Sequence, residues 1–179
     1  MLHPLQKIVV IAWLCWLPVM AEAAQICRTD SIPATTPDSQ LTDNADGTVT
    51  DTKTGLMWKQ CSEGLSGTSC ATGIAQPYTW AAALNRAQTV NTLEGGFAGY
   101  TDWRLPNLKE LQSITEKQCV APAINLTRFP NTAAESSYWS SSPVAAGSNS
   151  VWGVMFNNGN DGWNTKSGIS RVRLVRTNQ

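Results

Sequence analysis

The chain has 179 residues, in which 13 Lys and Arg balance 13 Asp and Glu for a formal net charge of zero at pH 7. Such a chain carries no global field to gather nucleic acid or an anionic membrane surface, so any electrostatic binding has to be local. Beyond a leader, about 155 residues remain, which suits one domain with a real core and excludes two full domains.

Lys7 precedes an apolar run from Ile8 to Val19, and Ala21-Glu22-Ala23 supplies the small residues of an A-x-A cleavage site. Residues 1–23 are therefore predicted to be a signal peptide, which makes the protein exported, to the periplasm or the cell surface. No membrane insertion is expected after cleavage, since no later stretch approaches the roughly 20 apolar residues of a membrane-spanning helix. Cys15 does not read as a lipid anchor, because bulky Leu14 stands where a lipobox has Gly or Ala. With Cys15 removed, Cys27, Cys61, Cys70 and Cys119 form an even set suited to disulfides in an oxidising compartment. Three pairings are possible. The favoured one joins Cys61 to Cys70 around a small loop containing Gly64 and Gly67, and leaves Cys27 to tie the N-terminal arm to Cys119. Zinc needs close Cys or His pairs, and His3, the one histidine, lies in the leader.

Residues 24–39, rich in Pro, Thr and Ser from Arg28 onward, read as an extended arm held mainly at Cys27, and residues 40–179 as the folded domain. Asp46-Gly47 separates Gln40 to Asn44 from Thr48 to Asp51 and predicts a hairpin, and a second turn at Thr52 to Gly55 leads into Leu56-Met57-Trp58, with Leu56 and Trp58 on one face. The Asp and Asn alternation before Gly47 does not make an EF-hand, since Thr42 and Lys53 would occupy the positions that need an acid and a bidentate Glu. Thr79 to Asn91 reads as a helix, with Trp80, Ala83, Leu84, Ala87 and Val90 along one stripe. In Gly99 to Leu111, Pro106 biases Leu105 toward an extended backbone, and Asn107 and Glu110 have capping-box spacing. A second helix is expected from Leu108 to about Lys117, burying Leu108, Leu111 and Ile114. Strands follow at Ser137 to Ser142, Val151 to Phe156 and Arg171 to Arg176. Strands, then two helices, then strands predict an α+β fold, with both helices packed on mostly antiparallel strands.

The motifs Asp46-Gly47-Thr48-Val49-Thr50-Asp51, Thr54-Gly55-Leu56-Met57-Trp58, Asp102-Trp103-Arg104-Leu105-Pro106-Asn107, Phe129-Pro130-Asn131-Thr132, Tyr138-Trp139-Ser140-Ser141-Ser142 and Val172-Arg173-Leu174-Val175-Arg176 follow in that order. Together they resemble the Lcl C-terminal domain family from about Gln40 to Arg176. That family is named for a collagen-like bacterial adhesin whose C-terminal domain binds sulfated glycans, and the resemblance implies a C-type-lectin-like fold. The collagen-like Gly-X-Y tract is missing here, so trimerisation driven by such a tract is not implied. The Arg-Leu-Pro entry to a helix is also similar to the core of formylglycine-generating enzymes, whose reactive cysteine pair has no counterpart if the cysteines form disulfides.

Without a histidine after the leader, no Ser-His-Asp or Cys-His arrangement can be built. A glycosidase needs only two acids, and Asp102, Glu110, Glu116, Glu135 and Asp161 are available, but no spacing singles out a pair. Trp58 and Trp80 lie on periodic apolar faces, and Trp103 and Trp139 sit in family motifs; all four read as core. Trp163 differs, because Asn157 to Asn164 is a polar, Gly-containing stretch that reads as a loop, similar in composition to the sugar and calcium loops of C-type lectins. The candidate ligand-binding residues are therefore Asn160, Asp161, Trp163, Asn164 and Lys166, with Arg171 and Arg173 as a clamp for sulfate or carboxylate on one side of the last strand. Asp102, Trp103, Arg104, Asn107 and Glu110 read as structural, with Arg104 and Arg176 as internal ion-pair partners and Asp102 as a partner to test. The expected function is non-catalytic recognition of a glycan or an envelope or surface protein, in the manner of an adhesin, with no cofactor except calcium to be tested. The alternatives are a glycoside-acting or other extracytoplasmic hydrolase and a structural envelope or pilus-associated component.

Overall fold

The computed structural model describes residues 24–146 and 149–178; the leader expected over residues 1–23 lies outside them. In chain order the elements are β1 (Ile26–Cys27), β2 (Leu41–Asp43), β3 (Thr48–Asp51), β4 (Leu56–Lys59), β5 (Leu65–Ser66), a single 3-10 turn (Thr68–Cys70), β6 (Thr72–Gly73), α1 (Trp80–Asn91), α2 (Leu108–Ser113), β7 (Cys119–Val120), β8 (Ser137–Pro143), β9 (Ser150–Met155), β10 (Asn160–Thr165) and β11 (Val175–Thr177). They make an α+β domain with an antiparallel four-stranded sheet, ordered β11-β4-β3-β2, and an antiparallel three-stranded sheet, ordered β10-β9-β8. Two small ribbons, β1-β7 and β5-β6, complete it. No described helix is long and apolar enough to cross a membrane.

The four-stranded sheet is covered on both faces, which is why β4 is buried at every position. Leu56 and Trp58 point into one core with Val49, Val175, Leu111 and Ile114 of the α2 region, Tyr138 and Val154 of the other sheet, and Phe156 just past β9. Met57 points the opposite way, toward Ala83, Ala87 and Val90 of α1, with Trp103, Trp139 and Leu174. Trp58, Trp103 and Trp139 are all buried, each contributing a few kcal/mol of apolar burial. The small residues of α1 let it pack close, and Thr79 caps it by accepting a hydrogen bond from the Ala82 amide. Bridges Cys27–Cys119 and Cys61–Cys70 close as the favoured pairing has them.

Four local differences from the sequence reading have physical causes. Helix α2 ends at Ser113, short of Lys117, because hydroxyls take its last carbonyls: Ser113 Oγ donates to Glu110 O at 2.7 Å and Thr115 Oγ1 to Gln112 O at 2.8 Å. Leu108, the first residue of the helix, is half-buried, whereas Leu111 and Ile114 are buried as expected. The last strand shrinks to Val175–Thr177 because the preceding residues change sheets: Trp139 N donates to Arg171 O, whereas Lys59 N donates to Leu174 O. The arm is held by far more than Cys27, since Glu116 Oε1 accepts from Thr35 N and Oγ1, and Oε2 from Thr36 N and Oγ1. Finally, Asn160 to Asn164 belong to strand β10 and not to a loop, which changes the setting of Trp163.

Candidate functional site on the β9–β10 hairpin

The hairpin turns at Asn158-Gly159, where Gly159 has φ +73 and its amide donates to Met155 O at 2.8 Å. This Asn-Gly pair is the signal by which the sequence could have shown the hairpin. From the turn, β10 runs back along β9 with six consecutive partners, Asn160 opposite Met155 through Thr165 opposite Ser150. Trp163 thus stands across from Trp152 on an ordered strand, and it is 64% exposed. Gly162 stands across from Gly153, and the missing side chains leave a furrow of about 170 Å³ lined by Ser137, Met155, Gly162, Trp163, Asn164 and Ser170. Gly153 is needed for packing, because a Cβ there would sit 2.5 Å from Tyr138 O. At Gly162 the nearest contact would be 3.7 Å, so its bareness is not imposed by a clash. Sequence reading missed Ser137, Met155 and Ser170, which join the furrow only through strand register and the sheet change.

The structure brings only some of the candidate residues together. Trp163 and Asn164 line the furrow, with Asn164 Oδ1 accepting from the Thr165 amide at 2.8 Å. Asn160 and Asp161 are exposed on the same strand, and Asp161 Oδ1 accepts from Gln112 Nε2 at 3.0 Å, tying the hairpin to α2. Lys166 lies over the Trp80 ring, its Nζ 5.0 Å from the centroid. Arg171 turns to a different cleft, which it lines with Glu135, and its Nε donates to Ser136 Oγ.

Arg173 overturns the expectation of a surface clamp. It is fully buried, with Nη1 donating to Lys59 O and Gln60 O and Nη2 to Ser62 Oγ and Thr132 Oγ1. Burial lowers its pKa to about 10, against the raising influence of Tyr138 and the Glu63 carboxylate. Arg171 and Arg173 therefore do not share an exposed face, because the chain between them crosses from one sheet to the other.

The five acids considered for hydrolysis each have a partner. Arg176 Nε reaches Asp102 Oδ1 at 2.7 Å, while Arg176 also covers the Tyr100 ring. Arg104 grips Glu110 with both Nη atoms, at 2.7 and 2.8 Å, and Glu110 at the same time closes the capping box with Asn107. Burial pushes the Glu110 carboxyl up, but the Arg104 and Asn107 hydrogen bonds and the Arg104 charge outweigh it and leave its pKa lowered. Glu116 holds the arm, Glu135 faces Asn157, and Asp161 holds Gln112. Among the described residues no three His, Cys, Asp or Glu side chains gather as metal ligands.

Fold and furrow together define a disulfide-bonded α+β domain that presents one aromatic ring to solvent on the outer strand of a sheet. The family model of the Lcl C-terminal domain matches residues 47–176, and the chain belongs to that family. No curated protein matches it.

Proposed function

We propose that this protein is an exported, non-catalytic recognition domain of C-type-lectin-like architecture, which binds a glycan through the β9–β10 furrow. The observation that carries the reading is Trp163, a large aromatic left in water on backbone that six strand pairs hold in place. An exposed, rigid indole offers a flat apolar face to the C–H face of a sugar ring, and Asn164, Ser137 and Ser170 supply neighbouring polar groups. The furrow is small beside sites of about 300–1,000 Å³ that enclose drug-sized ligands, which suits one sugar residue of a longer chain. The dispersal of Lys166, Arg171 and Arg173 favours a neutral sugar over a sulfated one. The partnered acids favour recognition over hydrolysis.

A glycan array with wild type and Trp163→Ala, in calcium and in chelator, tests this. The expected result is binding that falls at least tenfold in Trp163→Ala and persists in chelator. No binding to any glycan would sink the reading in favour of a structural envelope component. Turnover of a glycoside panel by the wild type would move it to a hydrolase.

A further inference from the structure

A second cleft, of about 680 Å³, shares no lining residue with the Trp163 furrow. Its size lies within the range of small-molecule sites. Its walls are fixed by chemistry already in place. The β2–β3 turn is held by Asp46 Oδ1, which accepts from Thr48 N and Oγ1, and by Asp43 Oδ1, which accepts from Ala45 N. Gln60 N donates to Gly47 O at 2.9 Å and pins that turn to the end of β4. The Cys61–Cys70 bridge closes the loop that forms another wall, and Phe97 is fixed between Lys59 Nζ, 4.2 Å from its centroid, and the edge-on Trp103 ring.

The charge facing this cleft is one-sided. Lys59, which lines it, is committed to Glu63 at 2.6 Å. Asp43 and Asp46 line it too, form no ion pair, and each keeps its second carboxylate oxygen without a partner among the described residues. The Gln60 amide and the Ser66 and Thr68 hydroxyls also line it, and their side chains have no hydrogen-bond partner among the described residues. A ligand matching these groups carries a positive charge for the carboxylates and several hydroxyls for the amide and hydroxyl groups.

We propose that this cleft binds an amino sugar with a free ammonium group, as in a de-N-acetylated hexosamine oligosaccharide. Carboxylate-to-ammonium hydrogen bonds are stronger than neutral ones, so the free amine discriminates the ligand from its N-acetylated counterpart. The site is separate from the Trp163 furrow and stands whether or not that furrow binds glycan.

The experiment is a titration of the disulfide-bonded chain, followed by backbone amide NMR, with the β1,4-linked glucosamine disaccharide, its N,N′-diacetyl form and trilysine. The expected result is at least tenfold tighter binding of the free-amine disaccharide than of the diacetyl form. Shifts should centre on the Gly47, Gln60 and Ser66 amides, and the affinity should fall as salt is raised. The Asp43→Asn, Asp46→Asn double variant keeps the Oδ1 acceptors that hold the turn and should lose at least tenfold in affinity as read at those three amides. Equal binding of the two disaccharides at the Gly47, Gln60 and Ser66 amides, an unaffected double variant, or no shift of those amides at millimolar ligand would overturn the proposal. So would trilysine binding more tightly than the disaccharide, which would make the cleft a site for basic peptides.

Discussion

Glu116 shows how one buried carboxylate can fix a segment that has no apolar face of its own. It is 3% exposed, and its two oxygens accept from Thr35, Thr36 and the Gln118 amide, so residues 35 and 36 hang on a single charge. Burial pushes its carboxyl up, but these backbone and side-chain hydrogen bonds outweigh burial and hold the pKa below the ordinary 4.5. A folded-state pKa below the unfolded one means that the unfolded chain takes up the proton more readily. The contribution of Glu116 is therefore complete above about pH 4.5 and is lost as pH falls through the folded value. Glu110, also lowered, acts in the same direction. Glu116→Gln turns one acceptor into a donor facing donors and should cost about 3 kcal/mol at pH 7, read by urea denaturation. The difference between wild type and variant should shrink steadily below pH 4.5, and a difference independent of pH would refute the electrostatic account.

Helix α2 has only six residues, too few to be stable by propensity, so its ends matter more than its middle. Asn107 and Glu110 satisfy each other's amides, and Arg104 holds Glu110 from the other side, coupling the cap to the segment that pairs with Val175. Asn107→Ala should lower stability by about 1 kcal/mol, and Asn107→Ser should recover most of it, as measured by thermal or urea unfolding. That start was legible in the sequence because capping is a local code. Helix α1 was legible for a similar reason, since its apolar stripe recurs at helical spacing. The end of α2 was not, because Ser113 and Thr115 become terminators only when their hydroxyls find carbonyls. Strand β10 was hidden by its composition: Asn160, Asp161, Gly162 and Asn164 are poor strand formers, and pairing with β9 overrides their preference. The exposure of Trp163 could be read from its polar neighbours, whereas the burial of Arg173 depends on Lys59, Gln60 and Thr132, residues far away in sequence that only the tertiary fold brings to it.

The molecule is closed by links between distant parts of the chain. Residues 171–175 stitch the two sheets together, Asp102 and Arg176 join the middle of the chain to its end, and Cys27–Cys119 ties the arm to β7 across a sequence separation of 92. Cys61–Cys70, with a separation of 9, shapes only a surface loop beside the 680 Å³ cleft. Chain-entropy arguments make a bridge more stabilising as the loop it closes lengthens, about 4.5 kcal/mol for the long loop against about 2.5 kcal/mol for the short one. The arm adds a second reason for the difference, because losing Cys27 also loosens the residues that Glu116 must grip. Replacing Cys27 and Cys119 together by Ser should therefore destabilise the domain more than replacing Cys61 and Cys70, by about 2 kcal/mol in urea unfolding. Binding should respond in the opposite order. The Cys61→Ser, Cys70→Ser variant should keep its fold and the Trp163 furrow while losing affinity for the free-amine disaccharide, since it frees a wall of the cleft and nothing at β10. If the short bridge proved the more stabilising one, loop length would not be what decides the strength of these links.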